Sequence, residues 1–435
     1  MKKTRRAVAA ILGFGLVSVN LLHGQTFVSG NISGTWSPSG NPYIVSDNAN
    51  VPASQTLTIQ PGVVVWIGSG VTITVNSKAS IQAIGTPSQR ITFQAPIGSE
   101  YWNQIYMINA PATNLFKCCD FRNATNALVM YNTSATNFVT EILNCTFSNC
   151  LSSAIYTESA WVGCSPVIQN CVFCASLNAC VLGDSEYFNT PSLLISANIF
   201  HDLGGTALWL QAGSSSARNA MIINNTFVNC AGGVSVTDPW NATIQSCVFK
   251  GCTTAVTVSG SQSRTVTYND FFSNGTNFVG YPSTYGTPIL LNRNGTSCDL
   301  LYNIFQNPQF ASATDFHLQG TSPCIDAGEG SAANFDNSFP PSLGSVTNDI
   351  GAYGGPNAGQ WLVPAPSNFL TLAAARYIGV TINPPSAGHY ELDYASALAG
   401  TNNWIQITNM DLSAPFLYTE PALSPARFYR AEKLY

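Results

Sequence analysis

Glu158, Asp184 and Asp238 are the residues of this chain whose type and spacing best suit chemistry. Each lies eleven positions after a phenylalanine, as do Asn132 and Gln211. If those phenylalanines recur once per structural repeat, the five residues form one polar column. Its carboxylates would stand ~5 Å apart on adjacent repeats and ~10 Å apart on alternate ones, which brackets the spacings of retaining and inverting glycosidases. Glu186 follows two positions after Asp184, and Trp161, Tyr187 and Trp240 are close in sequence, with rings suited to stacking on sugars. The expectation is acid–base use of Glu158, Asp184 and Asp238, with Trp161, Glu186, Tyr187, Gln211 and Trp240 binding substrate. Solvated turn residues would have the same composition, and calcium or glycan binding without catalysis is a third use.

The column exists only if the repeat does. Eight segments align on Phe121, Phe147, Phe173, Phe200, Phe227, Phe249, Phe272 and Phe305, spaced by 26, 26, 27, 27, 22, 23 and 33 residues. Such self-similarity is the mark of a solenoid, and 22–27 residues suit one coil of a three-sided one. Two residues before each Phe stand Cys119, Cys145, Cys171, Asn198, Asn225, Cys247, Asp270 and Asn303. Positions two apart in a strand share a face, so this column points inward with the Phe. Two residues after the Phe come Asn123, Asn149, Ala175, Asp202, Asn229, Gly251, Asn274 and Asn307. Asn and Asp tolerate left-handed backbone, which a corner repeated in every coil demands. A second strand follows, as in Ala127–Val129, Ala154–Tyr156, Ala207–Trp209, Val234–Val236 and Ala255–Val258. One coil alone cannot bury its Phe, but a stack buries a continuous column of them.

This N-x-F-x-N repeat resembles the right-handed parallel β-helix family of the pectin-lyase-like superfamily, over about Gln55 to Gly355. Ser54–Val75 looks like the first coils of bacterial members. DFHLQGTSPCIDAG (Asp315–Gly328) followed by DIGAYGG (Asp349–Gly355) resembles the closing segment of secreted β-helix proteins of the choice-of-anchor type, with Gly354 where an acidic residue is usual. The resemblance implies an all-β, right-handed, three-sided solenoid associated with carbohydrate. The polygalacturonase-like stretches NTD, DD, GHG and RIK and the pectate-lyase-like R-x-P-x-x-R are missing. Only Lys78, Arg90, Lys117, Arg122, Arg218, Lys250, Arg264 and Arg293 are basic between Gln25 and Trp361. A uronate lyase needs a cation near the substrate carboxylate and a base for the α-proton. A hydrolase is therefore the better enzymatic alternative to a non-catalytic binding or structural role.

Lys2, Lys3, Arg5 and Arg6 before the apolar Ala7–Leu22 read as an export signal, cleaved near Gly24–Gln25 although Leu22 suits the −3 position poorly. The mature chain would carry 12 basic and 21 acidic side chains, a net charge of −9. That balance argues against a nucleic-acid partner, because neutralising phosphates needs clustered Lys and Arg. No later segment reads as a membrane span. The expected organisation is 1–24 signal, 25–54 lead-in and cap, 55–362 β-helix and 367–435 a small β-sandwich-like module, in a secreted or cell-surface monomer.

Thirteen cysteines invite a disulfide reading. In-register parallel side chains run side by side, so the columns Cys119–Cys145–Cys171 and Cys150, Cys230, Cys252 are expected to be buried thiols. Cys171-x-x-Cys174 has no partner pair, so no metal centre is expected there. Asp326, Asp336 and Asp349 are expected to cap turns at the last coil, a calcium ion held by their oxygens being the lesser alternative. Asp202 is expected at a corner with His201 facing solvent, and His317 in a structural role.

Overall fold

The computed structural model describes residues 25–361 except 97, 99, 110–113, 134–139, 160–163, 165, 185–192, 213–217, 239, 261–263 and 284, together with strands between 371 and 433. Three ladders of short parallel strands run the length of a solenoid. Two of them are joined at their start by the long strand Tyr43–Val51, which pairs onward with both Val64–Ile67 and Thr72–Val75. The third is a separate ten-stranded sheet. Each coil gives one strand to each ladder, so backbone groups left open in one coil are closed by the next.

The first ladder carries the repeat phenylalanines. Its register runs Tyr43, Val65, Phe93, Phe121, Phe147, Phe173, Phe200, Phe227, Phe249, Phe271. From Phe93 to Phe271 successive rings lie 4.7–5.0 Å apart and nearly parallel. The stack therefore starts one coil earlier than the aligned repeat. It also passes through Phe271 rather than Phe272, because Phe249 pairs with Phe271 while Lys250 pairs with Phe272. A slip of one residue exchanges faces, so Phe271 is buried and Phe272 half-exposed.

That correction moves the inward column two residues before the Phe from Asp270 to Asn269, and the column then explains itself. Each member's side chain accepts the backbone N–H of the member before it. Cys171 Sγ accepts from Cys145, Asn198 Oδ1 from Cys171, and Asn225 Oδ1 from Asn198. Cys247 Sγ accepts from Asn225, Asn269 Oδ1 from Cys247, and Asn303 Oδ1 from Asn269. Asp299 ends the series by accepting the Asn303 N–H. A buried N–H without a partner costs about 1–3 kcal/mol, so the ladder keeps each turn closed at full burial. The corner residues Asn123, Asn149, Ala175, Asp202, Asn229 and Gly251 have positive φ as expected, and Ser273 takes the place assigned to Asn274.

Small residues make room for the rings. Ala127, Ala154, Ala179, Ala207 and Ala255 are fully buried in the second ladder, with Gly233 in the same column. A Cβ at Gly233 would meet the Phe249 ring at 2.8 Å. The third ladder closes the core with Ile59, Ala83, Phe116, Ile142, Ile168, Ile195, Ile222, Ile244 and Val266. All thirteen cysteines are free thiols. Cys119, Cys145, Cys171 and Cys247 are at most 1% exposed, and burial pushes the Cys150 and Cys247 thiols up to about 12. Such thiols are packing elements, not nucleophiles.

After the last coil the chain folds back along the outside of the first ladder. Phe310, Phe316, Ile350 and Ala352 cover the outward Ile199, Val228 and Val248 and form a second buried cluster. Corner amides hold this closing segment. Asn224 donates to Asn348 Oδ1 and to the Asp349 and Gly351 carbonyls, Asn170 to the Asn357 carbonyl, and Asn144 to the Gln360 carbonyl. Beyond it, Thr371–Ala374, Tyr377–Ile382 and Phe416–Pro421 form one antiparallel sheet. Gly388–Ala395, Ile405–Leu412 and Phe428–Lys433 form another. The C-terminal module is thus all-β with six described strands; Thr371–Ala374 was not expected from the pattern.

Candidate functional site

The second ladder turns its other face outward, and there the side chains change character. One outward column reads Thr74, Tyr106, Val129, Tyr156, Val181, Trp209, Ser235, Thr257. Aromatic rings occupy alternate coils from Tyr106 to Trp209, with valines between them. Val129 and Val181 are 7% and 6% exposed although they point outward, whereas Trp209 is 38% exposed. Tyr131, two positions along the neighbouring strand, extends the platform, its ring centroid 6.2 Å from that of Tyr106.

Past Trp209 the column turns to hydroxyls. Thr206, Ser235, Thr254 and Thr257 line a shallow groove of about 270 Å³, floored by Gly205 and Gly232. These glycines are there for space. A Cβ on Gly205 would meet the Leu177 carbonyl oxygen at 2.7 Å, and one on Gly232 would meet Thr206 Oγ1 at 2.8 Å. Rings beside convergent hydroxyls form a surface for a hydroxylated, partly apolar ligand.

The acidic column expected from counting is not one column. Asn132 pairs with Ser159, Tyr131 with Glu158, Asp184 with Ala212, and Gln211 with Gly183. Glu158 and Gln211 thus stand one register before Asn132 and Asp184. The cause is the corner after the Phe. Asn126, Asn178 and Gly232 begin the second strand five residues after their Phe, but Ser153 and Thr206 begin it six after. The extra corner residue is invisible to a count from the Phe.

Asp238 reaches Arg264, with 2.6 Å between Oδ1 and the guanidinium and the Arg264 side chain only 3% exposed. This ion pair ties the end of the second ladder to the third, a structural use of that carboxylate. Trp240 is not on the surface. It is 6% exposed within the core, and its indole N–H donates to the Gln211 carbonyl, so the expected sugar-stacking role is corrected to a packing one. Gln211 is half-buried. The side chains of Glu158 and Asp184, and the whole of Trp161, Glu186 and Tyr187, lie outside the described residues.

Asp326, Asp336 and Asp349 do gather at the closing segment, but their oxygens already have partners. Asp349 accepts the N–H groups of Asp326 and Leu343, Asp336 those of Asp349 and Gly355, and Asp326 that of Ser345. No group of three acidic, His or Cys side chains suited to a metal ion occurs among the described residues. These contacts are those of turn capping, the use expected ahead of calcium. His201 bonds Asp202 and lies 5.3 Å from the Phe316 ring, and His317 stacks on Tyr353 at 3.7 Å. Both belong to the packing of the closing segment.

The rings at Tyr106, Tyr131, Tyr156 and Trp209 were absent from the expected site. A signal was there to read: in Ala154–Tyr156 and Ala207–Trp209 the third residue follows an inward Ile155 or Leu208 and must point out. Among known families, the one described as right handed beta helix region matches residues 187–338. No curated protein matches the chain. With the three parallel ladders, the match makes the fold a right-handed parallel β-helix, a fold consistent with a carbohydrate-associated role.

Proposed function

We propose that this is a secreted or cell-surface glycan-binding protein that holds polysaccharide on the outer face of its second ladder without cleaving it. The observation that carries the reading is the outward Trp209, 38% exposed, beside the hydroxyl groove at Thr206, Ser235, Thr254 and Thr257. An exposed indole beside convergent hydroxyls suits a ligand that is apolar on one side and hydroxylated on the other. The export-like first 24 residues support a location outside the cell. No helix among the described residues is long and apolar enough to cross a membrane. Acid–base catalysis needs two carboxyls converging on one bond. The register sets Glu158 and Asp184 in adjacent columns, and Asp238 is paired with Arg264, so binding is the stronger reading.

The test is retention of the full chain on a panel of immobilised polysaccharides, with products assayed in the same samples. Binding to at least one glycan with no new reducing ends and no unsaturated products is expected. Retention on none would overturn the proposal. Release of products that stops in Glu158→Gln or Asp184→Asn would replace it with a hydrolase.

A further inference from the structure

A second surface, independent of the glycan-binding face, lies past the last coil. We infer that the hairpin formed by Leu290–Leu291 and Ser297–Cys298 is the contact of a two-fold dimer, burying Ile289, Leu291 and Leu300 against a second copy of this chain.

Composition and exposure single out the place. Fourteen large hydrophobic side chains are exposed among the described residues, and six of them, Val279, Ile289, Leu290, Leu291, Leu300 and Tyr302, fall between 279 and 302. Ile289, Leu291 and Leu300 are 59%, 69% and 57% exposed. Successive side chains of a strand take opposite faces, so the run Ile289-Leu290-Leu291 makes both faces of the hairpin apolar. One core can bury only one of them. Single exposed leucines need no explanation, but a cluster marks an interaction surface.

The hairpin is also held in place. Leu290 pairs with Cys298 and Leu291 with Ser297. The buried Cys298 bridges to Ile304, which pairs with Asp270 of the last coil. The Asn292 side-chain amide donates to the Ala327 carbonyl, and that of Asn294 to the Pro323 and Ile325 carbonyls. Asp299 accepts the N–H groups of Gly286, Leu301 and Asn303. A surface fixed in advance loses little conformational freedom on association. The hairpin forms a sheet of only two strands, so its outer edge has no partner strand among the described residues.

The chain's own ends are poorly placed to cover it. The closing segment is tied at Asn144, in the coil of Phe147, through the Gln360 carbonyl. Five coil steps, roughly 24 Å, separate that coil from Phe271. Thr26 lies ten steps from Phe271, roughly 48 Å, at the other end of the solenoid. A second copy meets no such limit. Between 276 and 302 only Arg293 and Asp299 are charged. Asp299 is buried, and the Arg293 guanidinium lies against Gly330, where a Cβ would meet it at 2.5 Å. Two copies therefore bring little like charge together. One patch used on itself closes as a two-fold pair, the commonest homo-oligomer. The surface at 287–302 is smaller than the 20–30 residues a side of a standard interface, so a dissociation constant on the order of 1–10 μM is expected.

Sedimentation velocity of the full chain, with reductant present and from about 0.5 to about 100 μM, tests the inference. The chain should pass reversibly from monomer to dimer and stop there, because an isologous contact closes on itself. Ile289→Asp and Leu291→Asp should each weaken the dimer at least tenfold. Phe27→Asp, at the far end of the solenoid where Phe27 is 70% exposed, should leave it unchanged. Thermal melts of each variant separate a lost contact from a lost fold. A monomer throughout, oligomers that keep growing past the dimer, or a folded Leu291→Asp protein that dimerises at full strength overturns the inference. If the monomer also shields Leu291 from hydroxyl-radical labelling, the cover is the chain's own C-terminal module.

Discussion

Two outer faces of one solenoid have opposite fates. The first ladder presents Ile199, Val228 and Val248 outward, and the chain's own closing segment buries them under Phe310, Phe316 and Ile350. The second ladder presents Tyr106, Tyr156 and Trp209 outward, and among the described residues no strand pairs over them. The covered face is built of aliphatic side chains, which gain from burial and lose in water. The outward column of the second ladder mixes Tyr, Trp, Ser and Thr with Val129 and Val181, and its polar-tipped side chains suit an interface that is wet on one side. On the first ladder the chain covers its own aliphatic side chains, whereas Trp209 on the second stays 38% exposed.

Both faces stand on the same phenylalanine stack, so the largest effect should come from breaking what they share. Phe173→Ala or Phe200→Ala opens a cavity between two rings ~5 Å away on either side and should cost about 3–5 kcal/mol. Denaturant unfolding is the measurement. A loss below about 1 kcal/mol would mean that the stack does not carry the coils.

The covered face can be disturbed alone. Ile350→Ala removes apolar volume at 1% exposure, for an expected cost of about 2–5 kcal/mol, concentrated where the segment docks. Amide exchange should accelerate across 310–361 while Phe147–Phe173 and the third ladder stay protected. Uniform acceleration would show the segment and solenoid to be one cooperative unit.

The covered face is also the pH-sensitive one. Burial raises Asp270 and Asp349 to about 8 and Asp336 to about 7, with the charge of Asp336 adding to the rise at Asp349 and that of Asp326 to the rise at Asp336. An unfolded Asp titrates near 4, so between pH ~4 and 7–8 the folded segment binds protons that the unfolded one does not. Its stabilisation is therefore complete below the unfolded value and lost as pH rises through 7–8, at up to ~1.4 kcal/mol per pH unit for each carboxyl. Docking of 310–361, followed by limited proteolysis, should loosen from pH 6 to pH 9. Asp349→Asn should flatten that dependence, and equal loosening in both proteins would assign the effect to other groups.

The division between the faces also marks how much could be read from the residues alone. Coil length, inward Phe and positive-φ corners follow from composition and spacing, because burial and corner geometry each demand particular side chains at fixed positions. The DFF segment misled because either Phe271 or Phe272 fits the pattern, and only pairing with Phe249 decides. The acidic column misled for a related reason. Corners absorb one residue without disturbing the core, so ladder register slips relative to the Phe while every inward side chain keeps its face. Trp240 looked available for stacking because an aromatic at the start of a strand carries no mark of which way it points.

The smallest expected effect on stability falls on the open face. Trp209 is 38% exposed and covers no second core, so Trp209→Ala should shift unfolding free energy by about 0.5 kcal/mol or little more. Val248→Ala, in the neighbouring ladder at 0% exposure beneath the closing segment, should cost several times as much despite deleting fewer atoms. Paired denaturation curves give the ratio directly. If Trp209→Ala proved the more damaging, the ring would be a structural cover for Val181, and an unused binding surface could no longer explain why it faces water.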